Sequence, residues 1–177
     1  MNQYLTLTII TDDRSGVVEK IAAVILSNQG SWLESNMSRL AGKFAGILLI
    51  TIPKYNQSNL LKELQELDSH GINVVAEPTY INDQEVSEHY LLTLVGNDRP
   101  GIIDELSSIL SRLKINVEEL CTNCEDAPMS SELLFRASAV ISIANQNNKL
   151  KVTSAIIQHE LESLSDDLII ELEILGD

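Results

Sequence analysis

The chain has 177 residues, of which 44% are hydrophobic and 21% are charged, proportions typical of a globular protein. No apolar run approaches the ~18 residues of a membrane span, and the N-terminus lacks a basic-then-apolar signal peptide, so we expect a cytoplasmic protein that does not contact membranes. Lys and Arg number 12 and Asp and Glu number 26, and the resulting net charge of −14 disfavours direct binding to the phosphates of nucleic acids.

The first half of the chain predicts the element order βαββαβ. Apolar and β-branched residues that alternate along the chain are typical of strands, and apolar residues at intervals of three and four are typical of helices. Ala41-Gly42-Lys43 is a hairpin signal between two of the strands. In chain order the predicted elements are a strand at 4–11, a helix closed by Gly30, strands at 31–40 and 44–52, a helix that ends at His70-Gly71, and a strand at Ile72–Glu77.

The second half repeats this order. The short motif Asp-Arg-x-Gly occurs in both halves, at Asp13–Gly16 and at Asp98–Gly101, 85 residues apart. The predicted elements are strands at Glu88–Gly96, Asn116–Cys124, Leu133–Ala144 and Leu168–Leu175, a loop at Glu125–Ser131, and helices marked by Ile102, Leu106, Ile109 and Leu113 and by Ile157, Leu161 and Leu164. A repeat of this length indicates two small domains and is too long for a solenoid repeat.

We therefore predict an α+β fold of two ferredoxin-like βαββαβ domains, each with a four-stranded antiparallel sheet that two helices cover on one face. The first domain is expected at residues 1–81 and the second at 88–177. Residues 82–87 are polar and lack periodicity, which is typical of a linker. Domains of this size bury only a modest core, so we expect them to pack against each other or against a second chain in a homo-oligomer.

The two Asp-Arg-x-Gly turns are the segments that favour a binding function. Each turn lies where a strand passes into a helix, and Gly16 and Gly101 permit backbone dihedral angles that let a ligand approach closely. The free N–H groups of a first helical turn, together with the positive end of the helix dipole, can receive a carboxylate. The alternative interpretation is that these turns only begin helices, with Asp13 and Asp98 as N-caps.

The residues around the turns carry a family resemblance. The chain resembles the ACT domain, a family of small regulatory modules that sense amino acids, in the segments Asp98-Arg99-Pro100-Gly101-Ile102-Ile103 and Ile115-Asn116-Val117. The first half matches in Asp13-Arg14-Ser15-Gly16-Val17-Val18. Two such units fill the chain without a catalytic or DNA-binding domain, and in this the chain resembles the glycine cleavage system transcriptional repressor group.

The resemblance implies an amino-acid site between each strand–helix turn and the start of the next strand, often at an interface between two units. The implied ligand-binding residues are Asp98, Arg99, Pro100, Gly101, Ile102, Ile103 and Asn116 in the second half, and Asp13, Arg14, Ser15, Gly16, Val17, Val18 and Ser31 in the first. Backbone N–H groups near Gly101 would take the carboxylate, and Asp98 or the Asn116 amide would take the ammonium group. Ser15 replaces the family's proline and Ser31 its asparagine, which favours the second half as the binding site.

Cysteine and histidine give weaker signals. Cys121 and Cys124 form a lone C-x-x-C, but residues three apart on a strand point to opposite faces, and no second cysteine pair accompanies them. His70, His89 and His159 are scattered without the spacing of metal ligands. We therefore expect two reduced thiols, no metal site and no cofactor.

Sequence patterns also argue against an enzyme. The chain contains no Ser-His-Asp pattern, P-loop or GxGxxG. Acylphosphatases share this fold class, but the Gly-rich phosphate loop that they carry before the first helix is missing here. RNA-binding modules of the same topology need aromatic residues on the central strands and basic surroundings, whereas this chain is 4% aromatic and acidic.

We predict a non-enzymatic regulatory protein that senses a small amino acid, glycine or serine, and modulates a protein partner. The resemblance implies that this partner is a transcriptional activator of glycine cleavage genes. A ligand that binds one arrangement of the protein better shifts the population toward it and so changes the affinity for the partner. The alternative is an ACT-type oligomerisation or interaction scaffold without a ligand, and thermal shift against the amino acids separates the two, because a bound ligand raises stability.

Overall fold

The computed structural model describes residues 1–81, 87–127, 133–144, 153–162 and 168–175. The chain divides into two units, Met1–Asn82 and Asp83–Asp177. Residues 82–86 of the predicted linker lie outside the described residues, and Ser87 begins a strand. The boundaries of the linker therefore stay a prediction.

The first unit has the predicted order βαββαβ. Its elements are β1 (Asn2–Asp12), α1 (Val17–Ser27), β2 (Ser31–Leu40), β3 (Lys43–Pro53), α2 (Gln57–Glu66) and β4 (Ile72–Thr79). The hairpin between β2 and β3 turns at Ala41 and Gly42, whose φ angles of 49° and 77° are those of the primed turns that suit two-residue hairpin loops. β4 runs past Pro78, contrary to the predicted end at Glu77, because β4 is an edge strand where a missing N–H is tolerated.

The second unit repeats this order. Its elements are β5 (Ser87–Asn97), α3 (Ile102–Arg112), β6 (Asn116–Asp126), β7 (Leu133–Ala144), α4 (Ser154–Glu162) and β8 (Leu168–Leu175). Glu125 and Asp126 were predicted to lie in a loop, but they extend β6 because they pair with Leu134 and Leu133 of β7. The predicted loop residues 128–131 and the helix position Leu164 lie outside the described residues.

Each unit contains one antiparallel four-stranded sheet. The strand orders are β2-β3-β1-β4 and β6-β7-β5-β8, so the first and third strands of each unit are central and the second and fourth form the edges. This is the ferredoxin-like arrangement, and the predicted α+β class is confirmed. Because the helix after the first strand returns along the sheet, each strand–helix turn lies at the end of the sheet opposite to the start of the next strand.

Alternation along the strands produces the core of each unit. In the first unit Leu5, Leu7 and Ile9 of β1 are at most 1% exposed. They pack with buried residues of the neighbouring strand and of both helices, namely Leu48, Ile50, Ile52, Ile21, Ile25, Leu60 and Leu64. The second unit has an equivalent core of Leu92, Leu94, Ala139, Ile141, Leu106, Ile109, Ile157 and Leu161. Full burial of each such aliphatic side chain contributes about 1.5–3 kcal/mol, which is the main force that holds each helix pair on its sheet.

The first helix of each unit ends in the same way. Gln29 and Lys114 adopt left-handed φ angles of 59° and 57°, and the following residues, Gly30 and Ile115, donate their N–H to the carbonyl groups of Ile25 and Leu110. This is a Schellman end with a non-glycine residue in the left-handed position. The prediction that Gly30 itself closes the first helix is therefore off by one residue.

A partly buried polar network joins the two helices of the first unit. Asn28, which is 1% exposed, donates from Nδ2 to Glu63 Oε2 at 2.8 Å, and its Oδ1 accepts from Asn59 Nδ2 at 2.7 Å. Ser27 Oγ donates to the same Glu63 oxygen at 3.0 Å, and Asn59 donates to Glu63 Oε1 at 2.9 Å. These bonds to the charged form, first from Ser27 and then from Asn28, lower the pKa of Glu63.

Glu63→Gln is expected to change how stability depends on pH. The pKa of Glu63 is lower in the folded state than in the unfolded chain, so its contribution is present above the ordinary glutamate pKa of about 4.3 and is lost as the pH falls through the folded value. Urea unfolding of wild type and variant from pH 7 to pH 3 checks this, with Glu66→Gln on the exposed side of the same helix as control. If the two proteins lose stability in parallel, Glu63 is not the group responsible.

Candidate functional site

The first turn leaves the start of a helix open. Gly16 is the N-cap of α1, with φ 85°, and it makes no side-chain hydrogen bond to the helix. Lys20 N–H donates to the Gly16 carbonyl at 3.1 Å. The N–H groups without a helical acceptor are therefore those of Val17, Val18 and Glu19, the first three residues of α1. Uncapped N–H groups at the positive end of a helix dipole form a natural position for a carboxylate.

The aspartates of the two turns do not cap the helices. The N-caps are Gly16 and Gly101, and neither helix has a side-chain capping bond. Asp13 lies outside the helix, where its N–H donates to the Gly42 carbonyl at 2.9 Å and its Oδ2 pairs with Arg39 Nη1 at 3.3 Å. The interpretation of Asp13 and Asp98 as N-caps is therefore wrong.

A cavity of about 250 Å³ opens at the first turn. It is lined by Asp13, Arg14, Gly16, Val17, Val18, Glu19 and Phe44. It therefore collects five of the seven residues implied for the first half and adds Glu19 and Phe44, while Ser15 and Ser31 are not among its lining residues. Pockets for drug-sized ligands occupy ~300–1,000 Å³, so this one suits a smaller molecule.

Arg14 supplies the cation of this cavity. A Cβ added at Gly71 would come within 3.3 Å of Arg14 Nη2, so the guanidinium lies beside Gly71, the residue that follows the short 3-10 helix Leu67–His70 after α2. The positive charge of Arg14 also contributes, after Lys43, to lowering the pKa of Asp12, so the guanidinium acts electrostatically on a carboxylate of the same turn. In the part of the chain that the structure describes, Arg14 forms no hydrogen bond and no ion pair.

The second turn has the same backbone but a different side-chain arrangement. Gly101 is the N-cap of α3 with φ 99°. Arg99 binds Glu105 through two parallel hydrogen bonds, Nη1 to Oε1 at 2.7 Å and Nη2 to Oε2 at 2.6 Å. The hydrogen bonds and the charge of Arg99 lower the pKa of Glu105. The guanidinium of this turn is therefore already bound to a carboxylate of its own unit.

Asp98 in the second turn has a thiol beside it. Burial raises the pKa of the Cys124 thiol, and the charge of Asp98 and a hydrogen bond to it raise the pKa further. Cys121 and Cys124 are both free and exposed. They pair with Ser138 and Phe135 of β7, three positions apart, and so lie on opposite faces of the sheet.

The starts of the second strands lie far from the turns of their own units. Asn116 is opposite Ser142, which is opposite His89, and β5 ends at Asn97 eight residues later, a distance of about 26 Å along the strand. Ser31 has the same relation to the first turn, since it pairs with Thr51, which is opposite Tyr4 in β1. One unit therefore does not bring Ser31 or Asn116 to its own turn.

The apolar residues of the implied sites differ in exposure. Val17 and Ile102 are buried in the cores at 4% and 2% exposure. Val18 is exposed and Ile103 is half-buried against the second core. Ser15, Pro100 and Asn116 are exposed.

The described residues show neither a metal site nor a membrane-spanning helix. They contain no group of three or more His, Cys, Asp or Glu side chains placed to hold a metal ion. None of the helices that the structure describes is long and apolar enough to cross a membrane.

Four residues that shape the turns were missed from the sequence: Glu19, Phe44, Arg39 and Glu105. Glu19 follows the motif in the helix and could have been included on spacing alone. Phe44 and Arg39 reach the first turn only through the β2–β3 hairpin, in which they pair with each other. Glu105 contacts Arg99 because one helical turn brings it back over the motif, a pairing that the sequence signals only as opposite charges six residues apart.

Comparisons with known proteins agree with this architecture. Residues 3–77 match the model of the ACT domain family. A protein of unknown function from Galdieria sulphuraria has a solved structure that superposes with a TM-score of 0.80 at 21% identity, covering 99% of this chain and 100% of that one. A candidate glycine cleavage system transcriptional repressor superposes with a TM-score of 0.73 at 15% identity, covering 100% and 99%. At these identities the structures show the shared fold. No curated protein matches the sequence.

Proposed function

We propose that this chain, whose first domain is an ACT domain and whose second has the same fold, is a non-enzymatic regulatory protein that binds glycine or serine at its strand–helix turns. The observation that carries the proposal is the cavity at the first turn, where uncapped helix N–H groups, a cation and two carboxylates lie together. A small amino acid is a zwitterion, and this set of groups complements both of its charges.

The chemistry assigns a group to each end of the ligand. The ligand carboxylate accepts hydrogen bonds from backbone N–H groups next to Gly16 or Gly101, as anions do at helix N-termini. The ligand ammonium group donates to a carboxylate beside the turn, Asp13 or Glu19 in the first unit and Asp98 in the second. The small volume of the cavity favours ligands with short side chains over large ones.

We further propose that the protein acts as a homo-oligomer. Ser31 and Asn116 lie at the far end of the sheet from their own turns, so they reach a ligand only when another unit supplies them, as a second copy of the chain can do. A site completed between copies couples ligand binding to assembly, because ligand then favours the associated state.

The partner that we propose is a transcriptional activator, bound by protein contact. A chain with a net charge of −14 gains no counterion release at DNA, so the protein alone should have negligible affinity for it at physiological salt. The fold that it shares with a candidate glycine cleavage repressor supports glycine cleavage genes as the target. Ligand binding and partner binding must then change each other's affinity by the same factor.

A gel-shift experiment tests this proposal. We expect the protein alone to leave a DNA fragment from the control region of glycine cleavage genes unshifted, and to change the shift produced by the corresponding activator, to an extent that glycine or serine alters. Thermal shift of the protein with each of the twenty amino acids accompanies it, and a higher melting temperature with glycine or serine is expected.

Two results would contradict the proposal in different ways. A salt-sensitive shift by the protein alone would contradict the absence of direct DNA contact. An activator complex that no amino acid affects, together with no thermal shift, would leave the scaffold without a ligand as the better description.

A further inference from the structure

The two turns share a backbone but carry opposite electrostatic character. The motif offset of 85 residues relates Arg14 to Arg99, Lys20 to Glu105 and Arg39 to Cys124. The register of the sheets supports these equivalences, because Arg39 is opposite Phe44 and Cys124 is opposite Phe135 in the two hairpins. Each of these differences between the two units changes which charged side chains at the turn have an oppositely charged partner.

In the second turn the arginine is already bound to a carboxylate, and Asp98 remains as a negative charge. Arg99 is held by both oxygens of Glu105, the strongest pairing geometry that a guanidinium makes with a carboxylate. Asp98 has a thiol beside it where the first unit places an arginine. A ligand carboxylate that approached Arg99 would have to displace Glu105 and would meet the charge of Asp98.

In the first turn both aspartates are paired with cations, and the guanidinium of Arg14 has no carboxylate bound to it. Arg39 binds Asp13 at 3.3 Å, and Lys43 binds Asp12, whose pKa it lowers by hydrogen bonding and charge. Lys20 stands where the second unit has Glu105, so no carboxylate closes over Arg14. Arg14 is one of the residues that line the cavity, together with Glu19 and Asp13.

The charges at equivalent positions of the two turns show the same difference. The positions are Asp12, Asp13, Arg14, Glu19, Lys20, Arg39 and Lys43 in the first unit, and Asn97, Asp98, Arg99, Asp104, Glu105, Cys124 and Leu134 in the second. The first set holds four cations and three anions, whereas the second holds one cation and three anions. On a chain with a net charge of −14, the first turn is thus a local site of positive charge, which favours anion binding.

We propose that the first turn alone receives the carboxylate of the amino-acid ligand, that Arg14 donates to it, and that Glu105 acts as a built-in carboxylate that closes the second turn. This inference rests on the proposed function, and it reverses the preference that the family pattern gives to the second half. In the first turn the ligand ammonium group lies toward Glu19, since Asp13 already has Arg39 as its partner.

Calorimetric titration of the whole chain with glycine and L-serine tests the inference. Arg14→Gln is expected to weaken binding about ten- to a hundredfold, the loss of a hydrogen bond to a charged group, whereas Arg99→Gln, the matched variant in the second turn, changes it little. Lys20→Glu copies the second turn into the first and should weaken binding as Arg14→Gln does. Melting temperatures of all variants establish that they fold.

Glycinamide provides a control on the side of the ligand, because it keeps the ammonium group and lacks the carboxylate. We expect it to bind wild type weakly, and Arg14→Gln to weaken it no further, because the arginine and the carboxylate are the two partners of one interaction. If Arg14→Gln weakens glycinamide as much as glycine, Arg14 does not contact the carboxylate, and the inference is wrong.

The remaining outcomes separate the inference from the proposed function. Glycine binding that survives Arg14→Gln and is lost in Arg99→Gln would overturn the inference and keep the amino-acid-sensing function. Binding of two ligands per chain with equal affinity would also overturn it, because the second turn would then be open. Wild-type protein that binds neither glycine nor L-serine would overturn both.

Discussion

Gly46→Ala is expected to lower the melting temperature of the first unit by at least about 5 °C. A Cβ on Gly46 would lie 2.7 Å from Met37 Cα and closer still to the carbonyl oxygen of Asn36. Both atoms belong to the backbone of β2, so no side chain can move aside and the pairing of β2 with β3 has to shift. Forcing extra atoms into packed structure costs about 1–3 kcal/mol, and each kcal/mol is worth about 4–8 °C in a domain of this size.

Ala137→Gly in the second unit is the matched control. Ala137 occupies the equivalent position in β7, opposite Leu94 as Gly46 is opposite Ile9, and there the methyl group is accommodated. Removing it should cost about 0.5–1 kcal/mol through the added backbone freedom of glycine. Differential scanning calorimetry measures both variants. A Gly46→Ala protein that melts with the wild type would mean that β2 adjusts freely at this point.

Gly16→Val is expected to abolish amino-acid binding while the protein stays folded, and Gly101→Val is expected to leave binding intact. Both glycines are N-caps with left-handed φ angles, 85° and 99°, which a β-branched residue adopts only with strain of about 1–3 kcal/mol. The stability costs are therefore similar, and the two variants differ in the cavity. At Gly16 the valine methyl groups take up space that the ligand carboxylate needs.

Titration with glycine and L-serine, beside circular dichroism and melting temperatures, measures this pair. Loss of binding in Gly16→Val alone places the ligand at the first turn. Loss in both variants with folded spectra would mean that both turns bind ligand, and loss in Gly101→Val alone would mean that only the second turn does. A Gly16→Val protein that binds as the wild type does would exclude the first turn.

The fold followed from the sequence because local patterns and long-range pairing agree. Leu5, Leu7 and Ile9 alternate as the sheet requires, and the same alternation recurs at Leu92 and Leu94, so each half independently predicts the element order. The errors lie at the ends of elements. Pairing with β7 extended β6 through Glu125 and Asp126, and the hydrogen bonds that end α1 put Gln29 rather than Gly30 in the left-handed position. Such outcomes depend on partners distant in sequence.

The candidate sites followed from the sequence only in part. The turns were located because Asp-Arg-x-Gly between a strand and a helix is a local signal. The charge balance of the turns could not be predicted from the sequence. Arg39 reaches Asp13 only through the register of a hairpin, and Cys124 reaches Asp98 in the same way. The positions of Ser31 and Asn116 also needed the topology, because a helix carries the chain back along the sheet before either residue.

The bidentate pair of Arg99 and Glu105 has a consequence for the dose response of the protein. A duplicated chain with two equal sites could respond more steeply to ligand concentration if binding at the first site raised the affinity of the second. If one of the two turns is closed by its own glutamate, a single chain holds one occupant and its saturation curve is a simple hyperbola. Any threshold in the physiological signal then has to arise from association between chains, where the sites of different copies are linked. Duplication in this chain then supplies a second domain of the same fold and not a second sensor.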